Sequence, residues 1–371
     1  MDELKYFEEV ASGLDNPEIQ AWKAAGNRVV GTVCSSMPEE VIHAGGLLPL
    51  RVRAPGLLDT AKADAHLHRI NCSYTRSVLE VLMRGELAFL DGLITTNTCD
   101  HMLRLAGELE AKAGCPVHYF SMYHTLGSAA RHWLILEMEK MIQFIEESFS
   151  TKVSEDDLRQ SVSVYNRTRR LMEELAELRK KDPPAVSGAE YLAIAVTGMS
   201  IPREQFNEKL EALLPLLRER SSDGSGQPRV MLVGGACDMP EFIEFIEAKG
   251  VKVVADGLCF GARRYQGEVD ENAEEFLPAI ADHYMDRIAC PAIFDGFDHN
   301  YGIMRQMISD WKVDAVICAR LKFCDHWGGQ RKLLSEELKS ESVPVLDLER
   351  EYNTAGSGQI STRVQAFLEM L

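Results

Sequence analysis

Basic charge is scarce in this chain. Its 40 lysines and arginines stand against 57 acids, a net charge of −17. No basic stripe remains to neutralise phosphates, which argues against a nucleic-acid partner and leaves solubility as the simple reading of the acidity. Long apolar runs are missing too, since none approaches the roughly 20 residues that span a bilayer. The opening "MDELKYFEEVASGLDNPEIQ" is acidic and polar, unlike a signal or transit peptide. The expected location is the cytoplasm. No G-x-x-x-x-G-K-[ST] occurs, so a P-loop for ATP is excluded, and no G-x-G-x-x-G follows a strand. The "GSG" triplets at 224–226 and 356–358 read as flexible turns. There is no H-E-x-x-H, no G-x-S-x-G, and no C-x-x-C of the zinc-ribbon or thioredoxin kind.

Cysteine, by contrast, is plentiful. The chain has 371 residues, enough for two or three globular units, with 46% hydrophobic and 26% charged residues, the balance of a soluble fold. Nine cysteines stand at 34, 72, 99, 115, 237, 259, 290, 318 and 324. An odd number without short regular spacing is not a disulfide framework. Some must be inert core residues. The sharper reading is a metal centre held by widely separated thiolates.

Between residues 28 and 125 the pattern alternates. "RVVGTVC", "LLPLRVR", "DGLITTN" and "PVHYF" read as strands. "MPEEVIHAGG", "SYTRSVLEVLMRGEL" and "CDHMLRLAGELEAKAG" read as helices with Pro and Gly at fitting ends. Such repeats imply a parallel sheet with helices on its faces. From about 128 to 222 the period is helical, with Ser154 as an N-cap before the acids of "EDD". The stretch "KKDPPAVSGAEYL" breaks it, and "SSDGSGQPR" at 221–229 reads as a linker. The remainder alternates again: "RVMLVGG", "VKVVAD", "VDAVICAR" and "VPVLDLE" as strands, "PEFIEFIEAKG" and "TRVQAFLEML" as helices. The fold class predicted is α/β: two Rossmann-like parallel-sheet domains (1–127 and 228–371) joined by a helical segment with its linker (128–227).

Ligands of open parallel sheets collect at the carboxyl ends of strands. Cys34, Cys99, Cys237 and Cys324 follow β-like runs and Cys72 begins a helix. Helix N-termini favour thiolates through their free N–H groups. The positions predict thiols facing one cleft. Met102 and Met304 read as core, Tyr119–Phe120 as a buried strand, and "HLHR" at 66–69 as an exposed loop.

"PEEVIHAGGLLPLRV" (38–52), "CSYTRSVLE" (72–80), "DGLITTNTCD" (91–100), "VVADGLCFGARRY" (253–265), "LKFCDHW" (321–327) and "STRVQAFLEML" (361–371) stand in an order and spacing that resembles one family. That family is the catalytic subunits of 2-hydroxyacyl-CoA dehydratases and benzoyl-CoA reductases. The resemblance covers essentially the whole chain. It implies a [4Fe-4S] cluster held by Cys72, Cys99 and Cys324, with one iron lacking a protein thiolate. It also implies an acyl-CoA substrate, a homologous second subunit or a second copy as dimer partner, and a separate ATP-hydrolysing iron–sulfur activator. The activity so implied is that of a lyase: one-electron (ketyl radical) chemistry on the thioester, ending in loss of a hydroxyl group. Reduction of an aromatic ring, as in benzoyl-CoA reductases, is the alternative in the same family. A further alternative is an [8Fe-9S] double cubane reducing small molecules, its added ligands drawn from Cys34, Cys237, Cys259 and Cys290. "RGELAFLDG" at 84–92 lacks a cysteine that such relatives would carry. An auxiliary electron-relay subunit is the remaining reading.

Other residues follow from position. Ser35, Ser36, Glu39 and His43 lie between a strand end and a helix, where substrate hydrogen bonding or proton transfer would occur. Ser36 and Glu39 read equally well as an S-x-x-E capping box, and His43 as a satisfied helix histidine. Arg76 is a candidate contact for an anionic CoA or a neighbouring carboxylate, and Arg263 and Arg264 are candidates for the CoA phosphates, against an ordinary surface pair. Asp100 and Asp325 read as helix caps that tune a metal centre from outside its ligands. Cys115 reads as a packing residue.

Overall fold

Two short apolar runs, "VVGT" and "GLITT", build the middle of the first sheet. The computed structural model describes residues 2–220, 225–287, 290–352 and 358–371. Residues 221–224 of the linker stretch, and all but Gly358 of the second GSG triplet, lie outside the described residues. Helices α1 (Asp2–Ser12) and α2 (Pro17–Ala24) open the chain, followed by β1 (Val29–Thr32), α3 (Glu39–Ala44) and β2 (Leu48–Arg51). Then come α4 (Ser73–Met83), β3 (Gly92–Thr96), α5 (Asp100–Lys112) and β4 (Val117–Phe120). The four strands are parallel in the order β2-β1-β3-β4. Strands β1 to β3 are buried along their whole length, as a sheet covered on both faces demands.

The helical middle comprises α6 (Ser128–Phe149), α7 (Glu155–Glu177), α8 (Gly188–Thr197) and α9 (Arg203–Glu219). Ser154 caps α7 in a reciprocal box with Asp157. The break at "KKDPPAVS" is real but short. Ser187 and Glu190 form a second capping box, and α8 starts inside the stretch read as a breaker. Helix α8 is buried along its length, so its apolar composition has no helical stripe to betray it. Helix α1 packs against α8 and α9 in an apolar cluster that includes Phe7, Ile194 and Phe206.

The second sheet follows: β5 (Arg229–Gly234), α10 (Pro240–Glu247), β6 (Lys252–Asp256), α11 (Phe276–Asp286), α12 (Phe297–Asp310), β7 (Ala315–Leu321), α13 (Asp325–Ser340), β8 (Val345–Arg350) and α14 (Gly358–Leu368). Its order, β6-β5-β7-β8, repeats that of the first sheet. The molecule is thus α/β with two parallel four-stranded sheets, as predicted. Where β5 meets β7, Gly234 has φ +147, and a Cβ there would lie 2.1 Å from the Ala319 carbonyl oxygen. Only glycine lets these two backbones approach so closely. Among the described residues no helix is long and apolar enough to cross a membrane.

Candidate functional site

In each sheet the strand order reverses between the two central strands, β1/β3 and β5/β7. A crevice opens at the carboxyl ends of strands at such a point. Cys34 and Cys99 lie beyond β1 and β3, Cys237 and Cys324 beyond β5 and β7. Cys72, Cys99 and Cys324 occupy one local position: each is the N-cap residue of a helix, of α4, α5 and α13 respectively. The Cys99 sulfur accepts from the Met102 N–H at 3.4 Å. The Cys72 N–H donates to His101 Nδ1 at 3.2 Å, which ties the second helix to the first. Asp100 and Asp325 therefore sit in the first turns of α5 and α13, one place inside the caps predicted for them.

The three thiols sense one another. Burial raises Cys99 well above the ordinary thiol range, and the charges of Cys72, Cys290 and Cys324 add to it. Cys324 is pushed up to about 12, first by burial and then by Cys72 and Cys290, while the Trp327 N–H pulls the other way. Burial also raises Cys72 and Cys290. Cys99 and Cys324, which follow strands of different sheets, thus both feel the charges of Cys72 and Cys290, and burial opposes the thiolate form of each. A single tetrahedral ion would bring thiolates within about 4 Å of each other. Among the described residues no group of three or more His, Cys, Asp or Glu side chains is placed to hold a single ion. The donors are thiols, soft ligands of the kind that zinc and iron–sulfur groups both take.

A small cavity of about 70 Å³ is lined by Cys34, Cys259 and Cys290 together with Ser35, Ser36, Arg263, Arg287 and the rings of Tyr123 and Tyr284. Arg51, buried at the end of β2, stacks over Phe260 at 4.8 Å, and its charge acts on both Cys34 and Cys259. Burial opposes ionisation of Cys34, yet Arg51 and hydrogen bonds from Ser36 and Thr98 leave its thiol below the ordinary range.

The predicted polar residues divide. Ser36 and Ser35 line the cavity, with Arg263 on its wall. Arg264 points elsewhere: its guanidinium donates to the Ser35 carbonyl at 2.9 Å and pairs with Glu39 at 2.6 Å. Glu39 also pairs with Arg203 at 2.7 Å and accepts from Tyr165 Oη at 3.3 Å. The neighbouring Glu40 pairs with Arg169 and accepts from Tyr284 Oη at 2.9 Å. This buried ion network locks α3 to α7, α9, α11 and the turn that follows β6. No Ser36–Glu39 capping box forms, because α3 starts after Pro38 and the Glu39 carboxylate is taken by arginines. His43 faces the helical middle, 3.0 Å from Ser161 Oγ and 3.1 Å from Glu204 Oε1. Arg76 pairs with Asp64 at 2.9 Å and donates to Thr60 and the Asn71 carbonyl. Cys115 is half-buried, Met102 and Met304 are core, and Tyr119 is exposed while Phe120 is buried. Of "HLHR", His66 lies 3.5 Å from Glu108, so this loop is pinned to α5.

Sequence reasoning missed Arg51 and Arg287. The first left a signal, a cation inside the fully buried strand "LPLR". Arg287 left none, since its place depends on Tyr284, over whose ring it stacks at 3.9 Å.

Residues 34–371 match the protein family described as 2-hydroxyglutaryl-CoA dehydratase, D-component. The chain is 27% identical over 363 residues to YjiM of Escherichia coli (strain K12), a dehydratase subunit by name only, covering 94% of this chain and 93% of that one. It is 24% identical to one of the subunits of benzoyl-CoA reductase from Thauera aromatica, over 100% of this chain and 98% of the other. Similarity to the beta subunit of (R)-2-hydroxyglutaryl-CoA dehydratase from Acidaminococcus fermentans is 21%, covering 94% of each.

Proposed function

This chain belongs to the 2-hydroxyglutaryl-CoA dehydratase D-component family, and from that premise we propose that it is the iron–sulfur subunit of an enzyme dehydrating a 2-hydroxyacyl-CoA. The observation that carries this reading is the matched position of Cys72, Cys99 and Cys324, each capping a helix beside the others' charge. Three such thiols fit a [4Fe-4S] cluster, a soft group wider than one ion. When bound, such a cluster supplies single electrons at low potential, the chemistry that a non-acidic acyl thioester needs before it can lose a hydroxyl group.

The chain's own residues prepare the place. The N-termini of α4, α5 and α13 direct free N–H groups and dipole ends at the sulfurs, which favours their anionic form. Burial keeps water away. Ser35 and Ser36 present hydroxyls at the cavity beside the thiols, and Arg264 fixes that loop by holding the Ser35 carbonyl. Glu39 serves this positioning through Arg264, which it holds with the same oxygen, Oε2, that pairs with Arg203.

The relatives named above are subunits, which supports assigning this chain a homologous partner or a second copy of itself; a separate ATP-hydrolysing activator belongs to the same proposal. The similarity to a benzoyl-CoA reductase keeps ring reduction in the same frame. A second reading rests on Cys290, whose charge reaches both Cys99 and Cys324. With Cys34 and Cys259 it would enlarge the donor set toward an [8Fe-9S] double cubane. Iron analysis separates the two, at about four or about eight atoms per chain.

The test is Cys99→Ser, with Cys72→Ser and Cys324→Ser beside it, in protein purified without air. Each variant is expected to lose most of its iron and its brown absorbance. Full iron in all three, with wild-type spectra, would sink the assignment. Turnover by the chain with activator but without a partner subunit would remove the relay role.

A further inference from the structure

Two of the three capping thiols open their helices with the same triplet. Cys99-Asp100-His101 starts α5 and Cys324-Asp325-His326 starts α13, whereas Cys72 is followed by Ser73 and Tyr74. Each histidine stands in the first turn of its helix, close enough to the end to reach beyond it. The two reach for different things. Nδ1 of His101 accepts the Cys72 N–H at 3.2 Å, across 29 residues of chain. The His326 ring instead packs on Phe294, with centroids 5.8 Å apart.

The three thiols are not held alike. The Cys99 sulfur accepts the Met102 N–H of its own helix, and the Cys324 N–H donates to the Leu321 carbonyl at 3.0 Å. Both anchors are local. Cys72 comes at the end of a stretch in which His68, Arg69 and Ile70 are exposed. Its carbonyl accepts from Thr75 Oγ1 at 2.8 Å, within its own helix. Its N–H lies outside the helix ladder and has its partner on a different helix. A backbone N–H can only donate, so Nδ1 of His101 is bare and the neutral ring carries its proton on Nε2. Burial favours the same form, holding the ring below the ordinary imidazole range against Asp325 first and Asp100 after it. Asp325 belongs to the other triplet, so His101 stands near the caps of α4, α5 and α13 together.

We propose that His101 is a positioning residue: through the Cys72 N–H it sets where the Cys72 sulfur stands relative to Cys99. The purpose of this clamp rests on the iron–sulfur reading above, while the clamp itself rests on the hydrogen bond. The imidazole is a strut of fixed length between the N-termini of α4 and α5. Without it the exposed approach to Cys72 lets the first turn of α4 swing, and a group gripped by three sulfurs loses that one first.

The experiment uses the complete chain purified without air, with its iron and after the iron is removed. In the iron-free wild-type chain the Cys72 amide should exchange with deuterated water about fivefold more slowly than in a free peptide, the factor of one hydrogen bond. Exchange at the free-peptide rate overturns the proposal without any variant. His101→Leu removes the acceptor, whereas His101→Asn replaces it, because Oδ1 of an asparagine stands as many bonds from the backbone as Nδ1. His101→Leu should speed Cys72 exchange about fivefold and speed iron loss to the chelator ferrozine about tenfold, the low end of what groups supporting metal ligands carry. His101→Asn should return both toward wild type, and the iron-free midpoints of thermal unfolding should stay within about 2 °C of one another. His326→Leu should leave Cys72 exchange unchanged. Unchanged exchange in His101→Leu, or equal acceleration in His101→Leu and His101→Asn, overturns the proposal. Faster exchange with iron held as tightly as in wild type overturns the positioning role. Wild-type protein without iron would defeat the iron–sulfur reading, and the exchange at Cys72 would still decide the clamp.

Discussion

Replacing Glu39 by glutamine keeps the shape of the side chain and removes its charge. The carboxylate is 1% exposed and lies 2.7 Å from Arg203 and 2.6 Å from Arg264, themselves 3% and 5% exposed. Both guanidiniums would lose their counter-charge inside the protein. Breaking a buried pair from one side costs about 3–5 kcal/mol. The glutamine oxygen still accepts one hydrogen bond, which returns about 1 kcal/mol. A net loss of about 3 kcal/mol follows, lowering Tm by roughly 4 °C for a chain of 371 residues. The assay is thermal unfolding of the air-free protein by circular dichroism, with iron content measured alongside. Glu39→Gln/Arg203→Met should regain part of the loss, because it removes one orphaned cation. A Tm within about 2 °C of wild type, combined with lost activity, would refute the structural role and return Glu39 to proton transfer.

Acid should weaken the fold in two stages. His283 is buried among Arg169 and Arg287 and held neutral well below the usual imidazole range, so its contribution is complete above about pH 6.5 and falls as the pH drops below that value. Glu40 opposes burial through Arg169 and Arg264, lies at about 2 instead of 4.5, and contributes about 3 kcal/mol that is lost between pH 4.5 and 2. Urea midpoints measured from pH 8 to 3 check both, and a flat profile above pH 4 would contradict the His283 part. Gly234→Ala should destabilise by about 2–4 kcal/mol, since both its φ and the Ala319 carbonyl forbid a Cβ; an unchanged urea midpoint would deny that contact. Cys115→Ala should keep full iron and lose no more than about 1 kcal/mol, whereas loss of iron would place Cys115 among the ligands.

Much of this architecture was legible because it is written locally. "VVGT", "LPLR" and "GLITT" are buried strands whose apolar runs need no partner to be recognised, and "SEDD" announces its helix by capping chemistry. Cys72 and Cys99 were readable for the same reason, as thiols at the junction of a turn and a helix. Distant pairings were not legible. Glu39 looked like the partner in a capping box until Arg203 and Arg264 arrived from far along the chain. The side chain of His43 turns to α7 and α9, a choice set by helix packing that no spacing in "VIHAGG" encodes. Helix α8 escaped because burial on all sides erases amphipathic rhythm.

Cys72 and Cys324 are separated by more than two thirds of the chain, and they lie at the ends of different sheets. A group gripped by all three, as proposed, would be complete only once nearly the whole polypeptide had left the ribosome, and it would then act as a rivet across a seam that one shared apolar core already closes.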